Sequence, residues 1–177
     1  WYTVDGGQCS STSFIGKDAE RLLIENGKPS NALNEVWIVS YHEDDVAAIN
    51  AIIDRYKLSA KKDDPAGWAL EDLVTWDDSV SPHRITGLSV SSLSLTGTLD
   101  VSTLTELTKL YCYDNQLTEL TGLGGLTNLT ELFCDSNRLT KLDMSGLTKL
   151  TELSFADNGP MELIGLSSLM SLTYLDC

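Results

Sequence analysis

Apolar and polar positions in the second half of the chain recur with a fixed stride. The segments LTKLYCYDNQLTEL (107–120), LTELFCDSNRLTKL (129–142) and LTELSFADNGPMEL (150–163) place Asn115, Asn137 and Asn158 at intervals of 22 and 21 residues. A further unit begins with LMSLTYLDC, where Cys177 stands 22 residues after Phe155, and an earlier one, ITGLSVSSLSLTGTL (85–99), holds Ile85, Leu88, Val90 and Leu95 in the same frame. One such unit is too small to bury Leu107, Leu110, Cys112, Leu117 and Leu120 by itself, so the units must stack. Strand side chains alternate, which predicts Leu110 and Cys112 facing inward and Lys109, Tyr111 and Tyr113 facing outward. The recurrent Asn is expected to satisfy turn backbone from rung to rung. Leu93 stands in its place in the first unit, which predicts a transitional rung with a less regular turn.

The spacing L-x-x-L-x-L/C-x-x-N-x-L resembles that of leucine-rich repeats over slightly more than half the chain. Units of 21 to 22 residues with LTKL, LTNL and an inward Cys look like those of bacterial surface leucine-rich-repeat proteins, including internalin-like ones. The resemblance implies an α/β fold: a right-handed solenoid with parallel β-strands on its concave face and an N-terminal α-rich cap. Residues 84–177 would hold about four to five units, and residues 1–83 the cap or a small α/β domain. It also implies a secreted or cell-surface setting. The last unit stops in mid-strand at Cys177 and the chain opens on Trp1, so a trimmed fragment with further repeats beyond Cys177 is expected.

Residues 1–83 show no repeat. In DDVAAINAIIDRYKL, Val46, Ile49, Ile53 and Tyr56 fall on one helical face behind Glu43, Asp44 and Asp45, which predicts a helix from about 44 to 57. Ala19, Leu22 and Leu23 predict a short helix from about Lys17 to Glu25, ending at Asn26-Gly27. EVWIVSY (35–41) reads as a strand. A loop carrying Trp68 and Trp76 then leads to a strand at RITGL, similar to plant-type caps, with Trp68, Leu73 and Trp76 wedged over the end of the solenoid; the cysteine pair common in such caps is missing. Whether residues 1–40 belong to this cap or form a separate small domain stays open.

Composition narrows the function. Twenty-six acidic against twelve basic residues give a net charge of −14. Nucleic acid is excluded as a partner because only five scattered cations follow position 83. A basic ligand or a cation is attracted, although solubility alone also explains net acidity. No stretch reaches the roughly 18 apolar residues a membrane span requires.

Candidate chemistry is sparse. Cys112, Cys134 and Cys177 share one inward position with Val90 and Phe155 and read as small apolar residues. Cys9 lies outside that register. His42 to Asp45 could offer metal ligands, but carboxylates opening a helix are the simpler reading. Asp63-Asp64 and Asp77-Asp78 lack calcium-loop spacing, and GLGG (122–125) lacks the Lys-Ser or Lys-Thr of a phosphate loop. With only His42 and His83 and no nucleophile motif, neither catalytic residues nor a cofactor or metal site is expected.

The outward positions remain: Gly87, Ser89 and Ser91; Lys109, Tyr111 and Tyr113; Glu131, Phe133 and Asp135; Glu152, Ser154 and Ala156. Tyr111 and Phe133 are neighbours on adjacent strands, ringed by Glu131, Asp135, Glu152 and Asp114. An apolar centre with a polar rim fits a binding surface, while cross-strand stacking that only steadies the sheet fits the same pair. The expected site is therefore Lys109, Tyr111, Tyr113, Glu131, Phe133, Asp135 and Glu152, holding a protein or peptide ligand with a basic patch. The alternatives are a structural spacer within a larger surface protein and the accessory domain of an enzyme whose catalytic part lies elsewhere.

Overall fold

The structure, a computed structural model, describes residues 14–15, 22–24, 34–36, 40–70 and 72–177. In chain order its elements are β1 (Phe14–Ile15), β2 (Leu22–Ile24), β3 (Asn34–Val36), β4 (Ser40–Tyr41), α1 (Glu43–Tyr56), α2 (Pro65–Leu70), β5 (Val74–Asp77), β6 (Arg84–Ser89), β7 (Thr96–Asp100), β8 (Lys109–Tyr111), β9 (Gln116–Thr121), β10 (Glu131–Phe133), β11 (Lys141–Asp143), β12 (Glu152–Ser154), β13 (Glu162–Ile164) and β14 (Tyr174–Asp176).

The principal sheet runs β14-β12-β10-β8-β6-β5. Its first five strands are parallel and one rung apart, with Leu110 paired to both Leu88 and Leu132, and Leu132 to Leu153. Behind them Ile85, Leu88, Val90, Leu107, Leu110, Cys112, Leu117, Leu132, Cys134, Leu142 and Leu153 are all buried in one continuous core. Each enclosed leucine contributes roughly 1.5–3 kcal/mol, so the repeat spacing itself dictates the stack. At the C-terminal end of the stack Leu166, Met170, Tyr174 and Leu175 are exposed.

Two polar ladders hold the rungs together. Asn137 Nδ2 donates to the carbonyls of Cys134 and Asp135 in its own rung and of Cys112 in the rung before, while its Oδ1 accepts the Leu117 N–H. Asn115 and Asn158 repeat the arrangement. Each Asn thus serves the rung before its own, which explains Leu93: no repeat precedes the first one, and the Leu93 and Leu95 N–H groups are satisfied by Asn115. The Leu93 side chain is exposed. The left-handed backbone of Ser92 recurs at Asp114, Ser136 and Asp157, whereas that of Ser94 is shared with Gly159 and not with Gln116 or Arg138, so the first turn departs from the two central ones at Ser94 alone. The second ladder is threonine. Thr108, Thr130, Thr151 and Thr173 each donate through Oγ1 to the backbone carbonyl of Thr86, Thr108, Thr130 and Thr151 respectively, at 2.9–3.0 Å.

On the other side of the rungs, strands pair two by two, β7 with β9 and β11 with β13, and β9 does not pair with β11. The alternation is written in the chain. Asp100-Val101-Ser102 and Asp143-Met144-Ser145, 43 residues apart, close each first member with a Ser N–H bonded to the Asp carboxylate. Gly122 and Gly165 close each second member at φ +88° and +81°, where a Cβ would come within 2.4 Å of the backbone of Ser102 and Ser145. The working unit on this side is a double rung.

α1 lies against the first rung. α1 spans the length expected from its pattern and buries Val46, Ile49, Ile52 and Ile53. Tyr56 Oη donates to the Thr98 carbonyl at 2.5 Å. Asp45, read from sequence as a helix-opening charge, is instead fully buried. Its carboxylate takes a forked pair of bonds from Arg84 at 2.9 and 3.1 Å and accepts the Ile85 N–H at 2.8 Å.

Trp68 and Trp76 do not sit in a loop. Trp68 is enclosed on α2, which opens on Pro65, and Trp76 lies on β5, which pairs antiparallel with β6. The β-branched and aromatic run Val74-Thr75-Trp76 favours extended backbone, and Gly87 makes room for it, since a Cβ there would meet Thr75 Oγ1 at 2.9 Å. The helix expected over Lys17 to Glu25 falls largely outside the described residues. Within it, Leu22–Ile24 is a strand antiparallel to Asn34–Val36, because pairing satisfies its backbone groups. Of the strand expected over 35–41, residues 35–36 fall in β3 and 40–41 in β4, while 37–39 lie outside the described residues, as does Cys9.

Candidate functional site

The outward side chains of β8, β10 and β12 form one cluster. Register places Lys109 beside Glu131 and Tyr111 beside Phe133, with Glu152 and Ser154 next along. The Tyr111 and Phe133 rings stack at 5.2 Å between centroids and 23° between planes. Lys109 Nζ lies 2.8 Å from Glu131, and the Tyr111 phenol donates to the same carboxylate. Burial, followed by the bond to Glu131, pushes the Tyr111 phenol well above the usual tyrosine range. Burial alone would raise Glu131 too, but its bonds from Lys109 and Tyr111 outweigh this and hold it below its ordinary value.

The remaining sequence-derived positions divide. Tyr113, at 39% exposure, stands free at the edge of the cluster, and Asp135 is engaged by the Ser154 hydroxyl at 3.0 Å. Two residues expected to face outward are covered. Ser154 is buried, its hydroxyl drawn onto Asp135, and Gly87 is buried beneath Thr75.

Beside the aromatic pair lies a feature the sequence reading missed. A recess of about 530 Å³ opens between β5 and the first two rungs, lined by Thr75, Trp76, Gly87, Ser89, Lys109 and Tyr111, with Asp72 and Asp78 also on its wall. It exists because Gly87 and Ser89, opposite Lys109 and Tyr111 in register, carry almost no bulk. The signal in the sequence was the run of small residues at outward positions of a rung whose neighbours carry aromatics.

The inward cysteines are chemically quiet. Burial pushes the Cys134 thiol up to about 12 and Cys112 well above its ordinary value. Among the described residues no group of three or more His, Cys, Asp or Glu is placed to hold a metal ion, and no helix is long and apolar enough to cross a membrane.

Residues 105–149 match the family described as Leucine Rich repeats, in two copies. That match and the stack of parallel one-rung strands together support a leucine-rich-repeat protein. No curated protein matches the chain. Solenoids of this class generally act as interaction modules, offering an extended concave surface to other proteins.

Proposed function

We propose that this chain is the protein-binding module of a secreted or cell-surface bacterial protein of the internalin-like kind, that residues 40–83 serve as its plant-type-like cap, and that its ligand is a polypeptide held on the concave sheet. The observation that carries this reading is the stacked Tyr111–Phe133 pair, half-buried at the centre of the face and ringed by Lys109, Glu131, Asp135, Glu152 and the exposed Tyr113. Rigid aromatic surface inside a polar rim is where binding energy concentrates. The excess of acidic residues favours a partner with a basic patch. The spacer reading draws support from the same cluster, because Tyr111, Glu131 and Lys109 are also bonded to one another.

Ligands selected from a displayed random-peptide library against the wild-type chain decide between the two. Tyr111→Ala combined with Phe133→Ala is expected to abolish their binding. The variant loses the stacking, about 0.5–1.5 kcal/mol, together with half-buried ring surface and the Tyr111–Glu131 bond, so its thermal midpoint is expected to fall by several degrees while unfolding stays cooperative. A large fall in stability with binding intact rejects the proposal.

A further inference from the structure

We propose that the recess between β5 and Tyr111 is an anchor for an arginine side chain of the bound polypeptide, with the guanidinium stacked on the Tyr111 ring and paired to Asp72. This rests on the concave-face reading and names the chemistry of its ligand.

Three observations converge on it. The Tyr111 ring has Phe133 stacked against it from the β10 side, and on the β6 side its register partner is Ser89, too small to cover it. An aromatic face left open at the wall of a recess is a seat for a cation, and the planar guanidinium suits it better than a lysine ammonium. Asp72 belongs to the Tyr111 end of the recess, because the Ser89 N–H donates to the carbonyl of Leu73 at 2.9 Å, one residue away from it. Among the described residues neither Asp72 nor Asp78 is ion-paired, and Asp78 follows β5 at the opposite end of that strand. The cation already present, Lys109, is neutralised by Glu131 at 2.8 Å and does not repel the newcomer. A volume of about 530 Å³ lies within the range of ligand pockets and takes the side chain together with adjoining backbone.

The test is a titration of the isotope-labelled chain, followed by amide and indole resonances, with a blocked heptapeptide of glycine and serine carrying one central arginine. A second peptide carries the neutral isostere citrulline. The arginine peptide is expected to shift the Asp72, Gly87 and Ser89 amides saturably while leaving the Trp76 indole, bonded to Pro65 at the far end of the recess, in place, and the citrulline peptide to shift none of them. Asp72→Asn should weaken the arginine peptide about tenfold, the loss of one charge-assisted contact. Ser89→Leu should abolish binding by filling the recess, while Asp78→Asn, the same change in net charge, should alter affinity less than twofold. Equal response to both peptides, shifts scattered over the acidic surface, or an Asp78→Asn effect matching that of Asp72→Asn overturns the assignment.

Failure here is separable from failure of the wider reading. If the arginine peptide leaves the recess untouched while selected ligands still require Tyr111 and Phe133, the concave face stands and the arginine anchor falls. If the recess binds the arginine peptide while selected ligands ignore the aromatic pair, the recess remains a guanidinium site, but the aromatic centre falls and with it the role of that site in holding the polypeptide ligand.

Discussion

Tyr111 concentrates several effects in one side chain: it stacks on Phe133, donates to Glu131 and walls the recess. Its phenol titrates well above the usual range because burial and the neighbouring carboxylate both disfavour the phenolate. The folded-state value therefore exceeds the unfolded value near 10, so the associated stability is complete below about pH 10 and declines as pH rises past it. Urea midpoints for wild type and Tyr111→Phe should keep a constant separation from about pH 7 to 9 and converge above pH 10. A separation unchanged at pH 11 would contradict this. Glu131 behaves in the opposite sense: its lowered value stabilises the fold above the ordinary carboxylate range, and that contribution disappears on acidification.

Among the elements, the joint between α1 and β6 depends on a single buried carboxylate. Asp45 receives two bonds from Arg84 and one from the Ile85 N–H, and Arg84 also reaches Thr105 Oγ1 at 3.2 Å. Removing Asp45 leaves the Ile85 N–H unpaired inside and takes the fork from Arg84, which is one-fifth exposed and still near Glu106, so the cost is about 3 kcal/mol, the low end for a buried pair. Asp45→Ala should lower the unfolding free energy by roughly that amount, and Asp45→Asn by less, since the amide oxygen can still accept from Ile85. Chemical denaturation checks both, and equal losses would show that the backbone bond is irrelevant to the joint. β5 is the other decisive element, because it adds an antiparallel strand to the parallel stack and, with Gly87 and Ser89, creates the recess.

For the whole molecule, charge is the dominant property. A net charge of −14 spreads a negative field over a face whose few cations, such as Lys109, are already paired. Attraction of a basic ligand should therefore weaken with ionic strength. Affinity for the arginine heptapeptide is expected to fall steadily from 0.1 to 1 M salt, as the screening length shrinks from about 10 to about 3 Å. Affinity independent of salt would place the binding energy in apolar contact instead.

The sequence by itself determined the stack. Leucines 21 to 22 residues apart can be buried only if successive units superpose, and that condition alone sends Leu110 and Cys112 inward and Tyr111 and Phe133 outward as neighbours. The helix over 43–56 was equally legible, because its apolar face follows a local period. What the tertiary structure decided were contacts between segments distant in the chain. Asp45 looked like a helix-opening charge until Arg84, thirty-nine residues away, came to meet it. Trp76 looked like a loop residue until β6 offered an edge to pair with, and Gly87 looked exposed until Thr75 covered it. Periodicity records which face a residue takes within its own element. The partner waiting on that face is set by how the chain closes on itself, and so the leucine core was readable in the sequence while the recess beside Tyr111 was not.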